Sequence, residues 1–117
     1  MSLTSKRRVT VIMTGDFEFA EQFSAAENES APGQAEIVTL ASGANTITVP
    51  GGGSTVTGCT ILPPAANTTN ITLKGVTGDT GVQLHDSGPT SLGIDPGVTS
   101  FCLTAAAEII GVRLIWT

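Results

Sequence analysis

Apolar residues in this chain recur at every second position, in short runs separated by turn-forming residues. The segment from Ile110 to Trp116 shows the pattern well. One face takes Ile110, Val112, Leu114 and the only tryptophan, Trp116; the other takes Gly111, Arg113 and Ile115. Side chains alternate across a strand, so a period of two predicts a half-buried β-strand that holds the fold closed. The same reading predicts a strand over residues 8–14, with Val9, Val11 and Met13 inward. Another spans 17–23, where Phe17, Phe19 and Phe23 alternate with polar neighbours.

Further strands are predicted over 35–40, over 45–49 with Ile47 and Val49 inward, and over 57–62 with Cys59 and Ile61 on one face. Residues 69–74 follow with Ile71 and Leu73 inward, then 82–85, then 90–94 with Leu92 and Ile94 inward. Residues 98–104 place Phe101 and Leu103 together. Between them stand turn signals: Gly15-Asp16, Pro32-Gly33, Ser42-Gly43, Pro50-Gly51-Gly52-Gly53 and Asp95-Pro96-Gly97. Proline lacks the N–H a ladder needs, so Pro63-Pro64 stops the strand before it. Nine or ten short strands at roughly ten-residue spacing predict an all-β chain, an antiparallel β-sandwich of jelly-roll type. The expected division is a flexible arm over 1–7 and one sandwich domain over 8–117.

Composition sharpens this picture. The chain has 117 residues, enough for one domain, and only 13% of them are charged. Net charge is −5, which disfavours a general nucleic-acid binder. Residues 37–117 carry only Lys74 and Arg113 against Asp79, Asp86, Asp95 and Glu108. A surface made of Thr, Ser, Asn and Gly suits neutral contacts better than electrostatic steering. Uncharged strand edges also invite pairing with another chain. No apolar run approaches the roughly 20 residues of a membrane helix, so no membrane partner is expected. Lys6-Arg7-Arg8 is not followed by an apolar core, so no secretory signal is expected either.

Candidate chemistry is sparse. Pro50-Gly51-Gly52-Gly53-Ser54-Thr55 lacks the Lys and the following helix of a phosphate-cradling loop, and reads as a flexible hairpin loop. Asp79, Asp86 and Asp95 lie in separate loops, whereas calcium needs six to eight oxygens, usually from one dense acidic loop. They read as turn residues. His85 is the single histidine and Ser87 lies near it, but no nucleophile elbow surrounds any serine. Asp16, Glu18 and Glu21 could pair as carboxylates for glycoside hydrolysis, yet read as solvated charge. Cys59 and Cys102, with one histidine, cannot build a four-ligand zinc site and are expected as buried thiols. Asn28, Asn67 and Asn70 begin glycosylation triplets that a chain rich in Asn and Thr yields by chance. No enzyme activity, metal or cofactor is expected. The candidate contact residues are Lys6, Arg7, Arg8, Pro32, Gly33, Gly51, Gly52 and Gly53.

Three groups of segments carry a resemblance. They are residues 36–50 (EIVTLASGANTITVP); 61–64 (ILPP) with 70–81 (NITLKGVTGDTG); and 89–92 (PTSL) with 101–104 (FCLT). Together they resemble small β-sandwich virion proteins of tailed bacteriophages, which decorate capsids or build necks, tails and fibres. The resemblance implies a structural protein without catalytic residues, made in the host cytoplasm and located in the virion. Its implied partners are capsid, neck or tail proteins, and it implies a homo-oligomer or a symmetric lattice. The alternative is a carbohydrate-binding or receptor-binding β-sandwich module. The lack of Tyr and the apolar-face position of Trp116 count against that alternative, because sugars stack on exposed aromatic rings.

Overall fold

Strands with one apolar face bury it by packing sheet on sheet, and the chain does so here. A computed structural model describes residues 7–13, 19–24, 34–53 and 55–117. Within them lie β1 (Arg8–Met13), β2 (Phe19–Ser24), β3 (Gln34–Leu40), β4 (Gly43–Thr48) and a 3-10 turn over Pro50–Gly53. Then follow β5 (Gly58–Leu62), β6 (Ile71–Lys74), β7 (Val82–Gln83), β8 (Thr90–Gly93), β9 (Ser100–Ala105) and β10 (Ile109–Trp116).

The pairing is nested. β6 pairs with β7, β5 with β8, β4 with β9, and β3 with β10, all antiparallel. The sandwich is therefore one long hairpin whose successive strand pairs alternate between two sheets. Two further pairings, β10 with β5 and β9 with β6, zip it into four-stranded sheets of order β3-β10-β5-β8 and β4-β9-β6-β7. This is the strand order of a jelly roll; the spacing of the short strands predicts a sandwich but not this order. β1 and β2 form a separate two-stranded ribbon.

The inner faces meet in one core built from Leu40, Ile47, Val49, Cys59, Ile61, Ile71, Leu103, Val112, Leu114 and Trp116. Trp116, 1% exposed, packs its ring against Phe101 of the opposite sheet, with centroids 6.1 Å apart and planes tilted by 54°. Its indole N–H reaches Glu36 Oε1 at 3.3 Å, so the polar end of a buried ring is satisfied.

Two inward assignments are corrected. Ile110 is 69% exposed, while Ile109 before it is buried. The cause is a bulge: Ile109 pairs with Leu40 but Val112 with Val38, so two residues of β10 stand opposite Thr39 alone. Gly111 takes φ +88° there, a conformation open chiefly to glycine. The extra residue turns Ile110 outward and restores Val112, Leu114 and Trp116 to the core. Val9 is 38% exposed, because its ribbon lies outside the two sheets. In addition, the strand expected over 82–85 shrinks to two residues, and Val82 is exposed.

Asn45 holds the corner where the chain leaves one sheet for the other. Its Oδ1 accepts the Ala41 N–H at 2.9 Å, and its Nδ2 donates to the carbonyls of Ala41, Gly43 and Leu103 at 2.9, 3.0 and 3.1 Å. One side chain thus satisfies both backbone groups of Ala41 and ties the corner to Gly43 and β9. Asn45→Ala is expected to lower unfolding free energy by roughly 2–3 kcal/mol in urea melts, since partly buried groups lose their partners. Gly111→Ala meets no atom within 4 Å, so its cost is backbone strain alone. A loss of roughly 1–2 kcal/mol, with the fold retained by circular dichroism, is the expected result.

Candidate functional site

The register of the ribbon sets Val9 opposite Phe23, Val11 opposite Glu21 and Met13 opposite Phe19. Five of the six residues in these three pairs are apolar. The pairs Arg8–Ser24, Thr10–Gln22 and Ile12–Ala20 alternate with them along the ladder.

Arg7 ties the base of this ribbon to the sandwich. Its guanidinium lies over the outer face of β5 and β8, where Nη1 donates to Ser91 Oγ at 3.4 Å. The seat exists because Gly58 and Gly93 pair with each other and lack side chains. A Cβ on Gly58 would come 3.0 Å from Arg7 Nε, and one on Gly93 would come 3.2 Å from Nη2. Ser91 Oγ in turn accepts from Thr60 Oγ1 at 3.2 Å.

A second feature is an open cleft of about 470 Å³ between the edges of β7 and β8. Leu73, Leu92, Ile94, Val98 and Phe101 floor it, and Lys74, Asp79 and Asp95 also line it. Two of the loop aspartates thus come to one cleft. Both are also turn residues: Asp79 Oδ2 accepts the Val76 N–H at 3.0 Å, and the Asp95 carbonyl accepts the Val98 N–H at 3.2 Å.

The third feature is the outer side of β3 and β10, where Ile37 is 72% exposed and Ile110, opposite Thr39 on the bulge, is 69% exposed.

The remaining candidates resolve into structural roles. His85 Nδ1 accepts the N–H groups of Ser87 and Gly88 at 3.2 and 2.8 Å, so this nitrogen braces a turn. Asn67 donates to the carbonyls of Thr69 and Asp86 at 2.9 and 2.6 Å, which commits its amide. Gly51 to Gly53 form part of the 3-10 turn, with Gly51 at φ +66°, and a strand follows at β5. Arg8 opens β1. Lys6, Pro32, Gly33, Asp16, Glu18 and Asn28 lie outside the described residues. Among the described residues no group of three His, Cys, Asp or Glu could hold a metal, and no helix is long and apolar enough to cross a membrane.

The cysteines are free and buried on different faces. Cys59 lies in the core. Cys102 faces outward from β9, opposite Thr46 and Lys74, with its Sγ 3.8 Å from Thr104 Oγ1. The Arg7 seat escaped the sequence reading because Gly58 and Gly93 become neighbours only through the β5–β8 pairing. No protein-family model, curated protein or solved structure matches the chain.

Burial first, and then the nearby Glu36 carboxylate, push the Cys59 thiol up to about 12 from an ordinary 9.0. Below pH 9 the thiol is protonated in both folded and unfolded chains. Between pH 9 and 12 the unfolded chain releases the proton and the folded one keeps it, so stability falls as pH rises. The expected contribution is a loss of about 1.4 kcal/mol per pH unit across that window. Urea melts at pH 8, 9.5 and 11 should show it, and Cys59→Ala should remove that part of the slope.

Proposed function

We propose that this chain is a non-enzymatic structural protein of a tailed-phage virion, a capsid-decoration, cement or head–tail component that assembles through protein–protein contacts. The observation that carries the reading is the ribbon of β1 and β2. It stands outside a jelly roll that is complete without it, and three alternate pairs of its register hold five apolar residues. A two-stranded ribbon is marginal alone in water, so contact with a partner surface would stabilise it. Arg7 fixes where it leaves the sandwich.

The rest of the surface agrees with an assembly role. The outer face of the β4-β9-β6-β7 sheet offers Ala44, Thr46, Thr48, Ser100, Thr104 and Thr72, with Lys74 the one charge among these ladder positions, a composition that suits close, largely uncharged contact. Weak contacts of this kind add up when many copies engage one particle. Trp116 is buried and its N–H is engaged, so it offers no platform to a sugar.

Co-sedimentation with heads and tails assembled from the genome that encodes the chain tests the proposal. The wild-type protein is expected to pellet with one of them at fixed stoichiometry. Val9→Asp, at a 38% exposed position, should cut the bound fraction at least about tenfold, the effect of 1.4 kcal/mol, with an unchanged thermal melt. A chain that binds neither heads nor tails would overturn the reading.

A further inference from the structure

We propose that β3 is a homodimer interface, at which two copies of this chain pair edge to edge about a two-fold axis through Ile37. The inference goes beyond the virion reading and does not depend on it.

The backbone phase of β3 follows from the neighbouring strands. Thr117 and Gly58 exchange both backbone hydrogen bonds, at 2.9 and 3.1 Å. Bonding direction alternates along a strand, so Trp116, Leu114 and Val112 direct their N–H and C=O groups the other way, to Gln34, Glu36 and Val38 of β3. Ala35, Ile37 and Thr39 therefore direct theirs away from β10. β3 is the last strand of its sheet, so these three residues present a regular row of donors and acceptors at its edge.

The edge lacks the usual protections. Gln34–Leu40 contains no Lys, Pro or Gly, the residues that commonly blunt an edge against pairing. Its one charge, Glu36, faces inward to the Trp116 indole. Ile37, at its centre, is 72% exposed. The other edges are less suited. β7 has two residues, β8 lies beside the Arg7 seat, and β4 shows no exposed large aliphatic side chain.

The register is selected by the residues themselves. Centring on Ile37 sets Ile37 against Ile37 and Ala35 against Thr39 twice over, so all three outward-bonding residues of each copy find partners. It sets Glu36 against Val38, with no like charges opposed. Centring on Glu36 would put two carboxylates directly opposite each other, which is unfavourable. Centring on Val38 would require Ala41 as a partner for Ala35, yet the Ala41 N–H and C=O are already bonded to Asn45. The partner that fits is a second copy, because the strand is complementary to itself about one residue. An isologous interface of this kind closes after two copies. The two Ile37 side chains then meet on the joined outer face.

Light scattering behind size exclusion, run over a concentration series, gives the first readout: a species of twice 11.9 kDa. Ile37→Lys should return the monomer with an unchanged thermal melt, since the side chain is outside the core. The register has its own test. Self-paired residues on this side of an antiparallel ladder sit about 5.5 Å apart at Cα, within the about 4.4–6.8 Å that a disulfide spans. Ile37→Cys should therefore oxidise to a covalent dimer, and Ala35→Cys, which faces Thr39, should not. Cys59 and Cys102 are 0% and 4% exposed and do not compete. A wild-type monomer throughout the series would overturn the proposal. So would a dimer that survives Ile37→Lys, or one in which Ala35→Cys cross-links and Ile37→Cys does not.

Discussion

Trp116 joins three parts of the chain that are distant in sequence. Its ring lies between the sheets against Phe101 of β9, its backbone pairs with Gln34 on one side and Cys59 on the other, and its N–H is held by Glu36. β10 is thus the strand through which β3 and β5 belong to one sheet. Burying a ring of this size is among the largest single apolar contributions a domain of this length has. The direction of everything outside the core follows from that placement. Because Trp116, Leu114 and Val112 point in, Ile115 and Arg113 point out, and the edge beyond them is β3.

A chain with so few charges keeps its surface wet through hydroxyls. Threonine suits the outer positions because its branched side chain favours a strand and its hydroxyl stays hydrated. The same choice leaves little electrostatic repulsion between copies or between the protein and a neutral partner. Solubility and stickiness therefore have one origin here. The features that stand out against the threonine background are the cleft lined by Leu73, Leu92, Ile94 and Phe101, and the exposed isoleucines Ile37 and Ile110.

Much of the architecture is legible in the sequence, because a period of two survives wherever a strand has one buried face. Residues 45–49, 57–62 and 98–104 show this: their inward residues can be named from alternation alone. Ile110 could not be placed that way. Two isoleucines stand side by side at 109 and 110, and a bulge of one residue reverses which of them is buried. The positive φ of Gly111 that permits it leaves no mark on hydropathy. Asn45 was equally silent, since an asparagine in a strand looks like any other polar position until the corner it braces has formed. The surfaces were harder still to read. The Arg7 seat and the exposed edge depend on which strands become neighbours, and alternation says nothing about strand order.

The nesting of the pairs also governs how the chain finds its fold. Thr72 and Gln83 are close in sequence and can meet early, whereas Gln34 must find Trp116 across the whole length of the roll. Loop closure grows only slowly more costly with length, but non-local pairing is slow. By sequence separation alone, β6 with β7 is the most local pair of the roll and β3 with β10 the least local. Until β3 pairs, the backbone edge of β10 that Gln34, Glu36 and Val38 cover lies open, and capture of β3 moves the free edge of the sheet from β10 to β3 itself.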